Sequence, residues 1–291
     1  MARTRAWYLA LGYPEPYRWA SLASVPFQPL QKPLSACRLG LVTTAAPVRP
    51  DAGDQGPRAP YNGKAKFFEV YAAPTTRPPA LGIAHVAIDR AHTTAEDPAS
   101  YFPLAAYRRA AARGAIGAVA DRFYGLPTDR SVRTTTQTHA PKLVELCRAD
   151  RIDVAVLVPN CPVCHQSVAL TAHALEAAGV ATVILGCALD IVEHVGVPRL
   201  LFSDLPLGNA SGPPHDTASQ DTIALTGLEL LAAATAPRTT WRTAVRWPGA
   251  ADWRLDYANP DRLTAAELAE KRAEFERVKT ERDSQPRARR D

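Results

Sequence analysis

The chain has 291 residues, 46% of them apolar and 22% charged, with a formal net charge of +5 and five cysteines. Usage this close to ordinary globular composition excludes a disordered chain, a collagen-like fibre and a small disulfide scaffold. No apolar run approaches the roughly eighteen residues of a membrane-spanning helix.

The excess of cations is small and scattered, and its densest run is Arg287, Arg289 and Arg290. A nucleic-acid surface would cluster cations on one element and interleave aromatics, so neither nucleic acid nor membrane is an expected partner. The start is basic, and the short apolar stretch Ala6 to Gly12 is soon broken by Pro14 and Pro16. That does not read as a secretory signal, and the expected location is cytoplasmic. In a reducing compartment the odd set Cys37, Cys147, Cys161, Cys164 and Cys187 argues against a disulfide framework.

Residues 1–36 are expected as an extended N-terminal arm, because Pro14, Pro16, Pro26, Pro29 and Pro33 each remove a donor and fix φ. Leu39 to Thr44 reads as a buried strand, residues 47–63 as a long loop, and Phe67 to Tyr71 and Leu81 to Ile88 as further strands. Phe102 to Gly114 has helical punctuation, with Pro103 near its start and Gly114 after its end. Ile116 to Ala120 is a short strand, and Pro141 to Asp150 a helix with Leu143, Leu146 and Cys147 on its core face.

The pattern is clearest from Ile152. The continuous apolar run Ile152 to Val158 suits a strand covered on both faces. Ser167 to Ala178 follows as a helix closed by Gly179, then strands Val180 to Leu185 and Pro198 to Phe202, and a long helix Gln220 to Ala234. This alternation predicts an α/β fold with a doubly wound, mostly parallel sheet over residues 37–245. A finer division gives two α/β halves, about 37–135 and 136–245. Residues 246–291 form a C-terminal helix and basic tail. The charged helix, 263–283, carries a thin apolar stripe of Leu268, Phe275 and Val278 and a Glu267–Lys271 pair.

Ligands of such sheets sit beyond the carboxyl ends of the strands. That rule singles out Pro159-Asn160-Cys161-Pro162-Val163-Cys164-His165-Gln166. Cys161 precedes a helix N-terminus, whose free amides and dipole favour a thiolate. Cys164, three residues on, can attack any sulfur bond that Cys161 makes. The pair suits a nucleophile and a resolving thiol, with His165 beside it as proton donor or as the cation that lowers a thiol pKa. Gln166 suits substrate binding or a turn cap. His85 and Asp89 fall on one face of an extended strand with His92 nearby, and read as substrate-binding groups or as a surface turn. Gly208 would admit a ligand against backbone or make a plain turn, and Asp216 would bind substrate or cap the following helix.

Other readings of the cysteines stand beside this one. They are packing as small apolar groups, a metal site completed by His165 and Cys187, c-type haem attachment, and a thioredoxin-like carrier. Cys187 itself reads as packing or pocket lining. No bound cofactor and no complete metal-ligand set is expected.

The segment Leu157 to Ser167 resembles the active-site segment of the selenoprotein B family of glycine, sarcosine, betaine and D-proline reductases. Weaker matches follow in unbroken order over residues 18–245: Leu41 to Ala45, Tyr101 to Leu104, Gly114 to Gly117, Pro206 to Gly208, Gly212 to Pro214, and Gln220. The resemblance implies a thiol-dependent reductase that cleaves a C–N bond in an amino acid or related small molecule. Cys161 stands where that family often carries selenocysteine, and Cys164 would resolve. It also implies a pyruvoyl group on a partner subunit that condenses with the substrate amine, and an external dithiol or thioredoxin-like reductant. A homo-oligomer is compatible with both. From another class comes a non-catalytic subunit that binds a partner through the 263–283 helix.

Overall fold

The computed structural model describes residues 1–13, 17–83, 85 and 87–284. The first half of the chain runs α1 (Ala2–Ala10), β1 (Arg38–Thr43), β2 (Ala46–Pro47), β3 (Tyr71–Pro74), β4 (Leu81–Gly82), α2 (Leu104–Ala112), β5 (Ala118–Val119) and β6 (Arg122–Gly125). Then come α3 (Val132–Thr134), a π turn (Thr135–His139), α4 (Ala140–Ala149), β7 (Val154–Val158), α5 (Pro162–Ala177), β8 (Ala181–Gly186) and α6 (Leu189–Val195). The last elements are β9 (Arg199–Phe202), α7 (Thr217–Ala233), β10 (Thr239–Arg242) and α8 (Ala265–Ser284). Residues 19–249 form one compact unit, and residues 1–18 with the chain from 250 onward form a second. Among the described residues no helix is long and apolar enough to cross a membrane.

Every residue of β7, β8 and β9 is buried, as in strands covered on both faces. They lie in a sheet of order β10-β9-β8-β7-β1-β6-β3, with β5 also pairing β1. All its pairings are parallel except that of β3 with β6. Because side chains alternate along a strand, each strand feeds two cores. Leu39, Val154, Val156, Val183 and Leu185 pack with α2 and α7. Val42, Ala155, Leu157, Ile184 and Leu200 pack with α4, α5 and α6, where Cys147 is a core residue. The α/β, doubly wound reading therefore holds.

The order decides where a ligand belongs. From β1 the chain moves outward to β6 on one side, then crosses to β7 on the other and continues outward through β8, β9 and β10. In open sheets of this kind ligands bind at such a reversal, here the carboxyl ends of β1 and β7.

Several sequence expectations shift. The strand expected at Phe67 to Tyr71 is instead Tyr71–Pro74, because pairing with β6 sets Tyr71 opposite Gly125 and Pro74 opposite Arg122 on an edge that tolerates proline. The strand expected from Leu81 to Ile88 ends at Gly82 and pairs with β2, apart from the main sheet. No two-residue alternation therefore brings His85 and Asp89 to one face. Helix α5 begins at Pro162, five residues earlier than its apolar periodicity suggested, so Cys164, His165 and Gln166 are helical. Strands β6 and β10 and helix α6 have too few residues to show a period.

Within the stretch read as an extended arm, Ala2–Ala10 are helical. Residues 19–32 do run without regular structure, and they are tied to the sheet by a buried ion pair. Arg199 and Glu176 meet at 2.9 Å with neither side chain exposed. The guanidinium also donates to the Gln28 carbonyl at 2.9 Å and lies 4.2 Å from the Phe27 ring. Glu176 accepts from the Thr182 amide and hydroxyl and from the Gln28 amide. Burial pushes the Glu176 carboxyl up and the Arg199 guanidinium down, as desolvation does to any charge. Pro14, Pro16, Arg287, Arg289 and Arg290 lie outside the described residues, as does the Val278 side chain.

In the second unit Phe275 of α8 meets Tyr8 and Tyr13 edge-on, with ring centroids 6.2 and 5.4 Å away. Helix α8 starts with a capping box: Thr264 Oγ1 accepts the Glu267 amide at 3.2 Å, and Glu267 Oε2 accepts the Thr264 amide at 2.8 Å.

Glu176→Ala leaves a buried guanidinium without its carboxylate and is expected to cost about 3–5 kcal/mol in denaturant unfolding. Limited proteolysis should then cut within residues 19–32. The joint change Glu176→Leu with Arg199→Met should recover most of the stability, since a buried pair gains little over apolar side chains of similar size.

Candidate active site

The β7–α5 turn lies at this reversal, because β7 is the strand that follows it. Asn160 locks it to β1, its backbone amide and its side-chain Nδ2 both donating to Thr44 Oγ1 at 3.1 Å. Cys161 is the N-cap of α5, and its sulfur accepts the Cys164 amide at 3.4 Å, as a serine cap would. Pro162 occupies the first helical position, where a missing N–H costs nothing. This geometry turns both sulfurs to the same side, 2.8 Å apart. Both thiols are free, and the gap exceeds the ~2.05 Å of a disulfide.

The two sulfurs differ in their surroundings. Burial pushes the Cys161 thiol well up, and the adjacent Cys164 sulfur pushes it further. Burial acts on Cys164 in the same sense, but hydrogen bonding with Cys161 and Thr128 and the electrostatic influence of His85 hold it well below the ordinary thiol value. Thr128 Oγ1 is 2.9 Å from Cys164 Sγ. The surroundings thus raise the Cys161 thiol and lower that of Cys164. Both lie in the first turn of α5, so the helix amides favour either. The side chains around Cys164 make the difference.

His165 is fully buried and does not serve the sulfurs. Its Nδ1 meets the Cys161 carbonyl at 2.8 Å, while its Nε2 accepts the Cys187 and Ala188 amides at 3.0 and 3.1 Å. One tautomer satisfies all of these, neutral with the proton on Nδ1, and burial lowers the pKa accordingly. The ring brackets the β7–α5 turn to the β8–α6 turn. Gly186 makes room for it, since a Cβ there would stand 3.2 Å from the imidazole. Gln166 is buried too, and its Oε1 accepts the Ala20 amide of the arm at 2.7 Å.

The expected cluster of His85, Asp89 and His92 divides. His85 acts electrostatically on Cys164. Asp89 pairs with His92 at 3.0 Å, and burial raises its carboxyl despite that partner. The Asp89 amide and the Thr93 hydroxyl both donate to the Leu207 carbonyl, at 3.1 and 2.9 Å, which fastens this segment to the loop after β9. Gly208 serves that junction. Its φ is +110°, and a Cβ would come within 2.6 Å of Thr93 Cγ2. Asp216 is the N-cap of α7, accepting the Ser219 amide at 3.0 Å. Cys187 follows β8, and burial pushes its thiol up.

Thr128 was not legible as a site residue, because its loop follows the unrecognised strand β6. Among the described residues no group of three or more His, Cys, Asp or Glu side chains is arranged to hold a metal ion. Both sulfurs are covered, with Cys161 at 3% and Cys164 at 0% exposure. A cavity of about 160 Å3 lies along the covering segment, lined among others by Arg58, Ile83, Ile88, Arg90 and Thr93, and does not reach the sulfurs.

Comparison with known proteins supports a distant relationship to one reductase. The chain is 26% identical over 133 residues to the D-proline reductase subunit gamma of Acetoanaerobium sticklandii, an alignment covering 45% of this chain and 54% of that protein. The chain thus spans about half the length of the curated relative it matches. No protein-family model matches it. No solved structure does either.

Two measurements test this site. Thiolate ultraviolet absorbance of the native protein should titrate well below the ordinary thiol range of about 8.5. Cys164→Ser should abolish that step, and Cys161→Ala should move it upward. Because the Cys164 value is depressed by folding, its stabilisation is present above the unfolded value and lost as pH falls through the folded one. Acid unfolding of native protein should therefore steepen relative to Cys164→Ser. Separately, Gly208→Ala should cost about 1–3 kcal/mol of stability while leaving the thiolate absorbance unchanged.

Proposed function

We propose that this chain is the thiol-bearing subunit of a cytoplasmic reductase of the selenoprotein B type, one that cleaves a C–N bond in an amino acid or related small molecule. The observation that carries this reading is the pair of free sulfurs at 2.8 Å just beyond β7, where the strand order reverses. The similarity to a D-proline reductase subunit supports the reaction class, and D-proline is the first substrate to try.

Cys161 is the nucleophile in this reading. As it attacks the substrate carbon the C–N bond breaks, the nitrogen leaves with the bonding pair and takes a proton from solvent, and the Cys161 proton passes to the Cys164 sulfur. Cys164 gives up that proton as it attacks the Cys161 sulfur, closing a disulfide, and the product carbon departs with the C–S bonding pair and takes the proton. A dithiol or thioredoxin-like reductant reopens the pair. A partner subunit bearing a pyruvoyl group would activate the substrate amine. Helix α5 keeps both sulfurs in one turn, so resolution requires little movement of the backbone.

The test uses the chain assembled with its partner subunits and supplied with dithiol reductant and D-proline. Cys161→Ala is expected to lose turnover altogether. Cys164→Ala should react at most once, leaving a substrate-derived mass on Cys161 that peptide mass spectrometry detects. Full activity in Cys161→Ala would end the proposal.

A further inference from the structure

The cavity of about 160 Å3 along the covering segment plays no part in the dithiol chemistry, since it does not reach the sulfurs. Two loops build it. One follows β2 and brings Arg58; the other follows β4 and brings Arg90, Thr94 and Ala95. The Arg58 amide donates to the Thr94 carbonyl at 2.7 Å, which ties the loops together at the cavity wall. Each loop turns there on a residue that is not glycine: Arg58 has φ +61° and Ala95 φ +59°. Glycine would take that left-handed conformation without cost, so at residue 58 the chain accepts strain and gains a guanidinium on the wall.

The lining has a cationic side and an apolar side. Arg58 and Arg90 supply guanidinium groups, each with five N–H donors, while Ile83, Ile88 and Ala95 supply hydrocarbon. Arg90 gives its Nη2 to the His85 carbonyl. Asp89 and Glu96, the carboxylates adjacent in sequence to lining residues, are both committed. Asp89 meets His92 at 3.0 Å. Glu96 Oε1 takes one edge of Arg58, lying 3.0 Å from Nε and 2.9 Å from Nη2. That pair is exposed, so it holds Arg58 only weakly. Size sets the rest: a cavity of about 150 Å3 holds benzene, so this one admits roughly six heavy atoms. Guanidinium groups match a carboxylate, and the isoleucines match a short alkyl chain. Inorganic phosphate would leave the apolar side uncovered, and an amine would meet like charge.

We propose that this cavity binds a small aliphatic monocarboxylate, with its carboxylate against Arg58 and Arg90 and its chain against Ile83 and Ile88. The site is separate from the dithiol, and the proposal stands whether or not the reductase reading does.

The experiment titrates the full chain, 13C-labelled at its isoleucine methyls, with sodium butanoate, butylamine and inorganic phosphate at one ionic strength. Butanoate should shift the Ile83 and Ile88 methyl signals saturably, with a dissociation constant of about 1 mM or tighter. The amine and the phosphate should leave those signals in place. Arg58→Gln removes a side chain that is 72% exposed, a change the fold should tolerate. Butanoate affinity should then fall at least about tenfold, as loss of a charge-assisted hydrogen bond requires, and likewise in Arg90→Gln. Methyl signals that ignore butanoate would overturn the proposal. So would equal shifts with butylamine, phosphate binding as tight as that of butanoate, or native affinity in Arg58→Gln.

Discussion

A pair of buried sulfurs 2.8 Å apart at the start of α5 is the constraint that organises this protein. Removing a charge from water costs several kcal/mol unless donors replace the water. For a thiolate at Cys164 the replacements are the Cys161 thiol and the Thr128 hydroxyl, at 2.8 and 2.9 Å and from separate parts of the chain. The doubly wound sheet makes that meeting feasible. Its strands end on one edge, so the turn after β7 and the loop after β6 lie at the same edge although they are far apart in sequence.

Helix α5 carries the arrangement from end to end. Its first turn holds both sulfurs, and its last turn holds Glu176, which ties the arm through Gln28 and Arg199. Between them Gln166 grips the arm at Ala20. Ten helical residues rise about 15 Å, a span that the extended segment from Ala20 to Gln28 covers easily. The arm thus lies along α5 and fixes it against the sheet at both ends. His165 adds a third anchor, bracing the start of α5 to the end of β8. The two histidines are placed differently: His165 is buried and holds the turn, while His85 is half-buried in the segment after β4.

The same division explains the other polar residues near the sheet edge. The Asp89 carboxylate is spent on His92, the Thr93 hydroxyl on the loop after β9, and Asp216 on the start of α7. Thr93 and Asp216 satisfy backbone groups that would otherwise be left without a partner.

The sequence by itself determined the layering. Short apolar runs at Val154–Val158 and Val183–Leu185, bounded by turn signals, read as strands covered on both faces, and the spacing of Cys161 and Cys164 at a strand-to-helix turn sets two thiols three residues apart. Those features are local, set by a period or by three residues of separation. The tertiary structure alone decided what surrounds each sulfur and what occupies each histidine. A thiol's ionisation depends on what replaces its lost water, and for Cys164 one such group arrives from Thr128, 36 residues away. His165 looked like a partner because it is adjacent in sequence, but a helix carries neighbouring side chains to different faces, and its ring is consumed by the amides of Cys187 and Ala188.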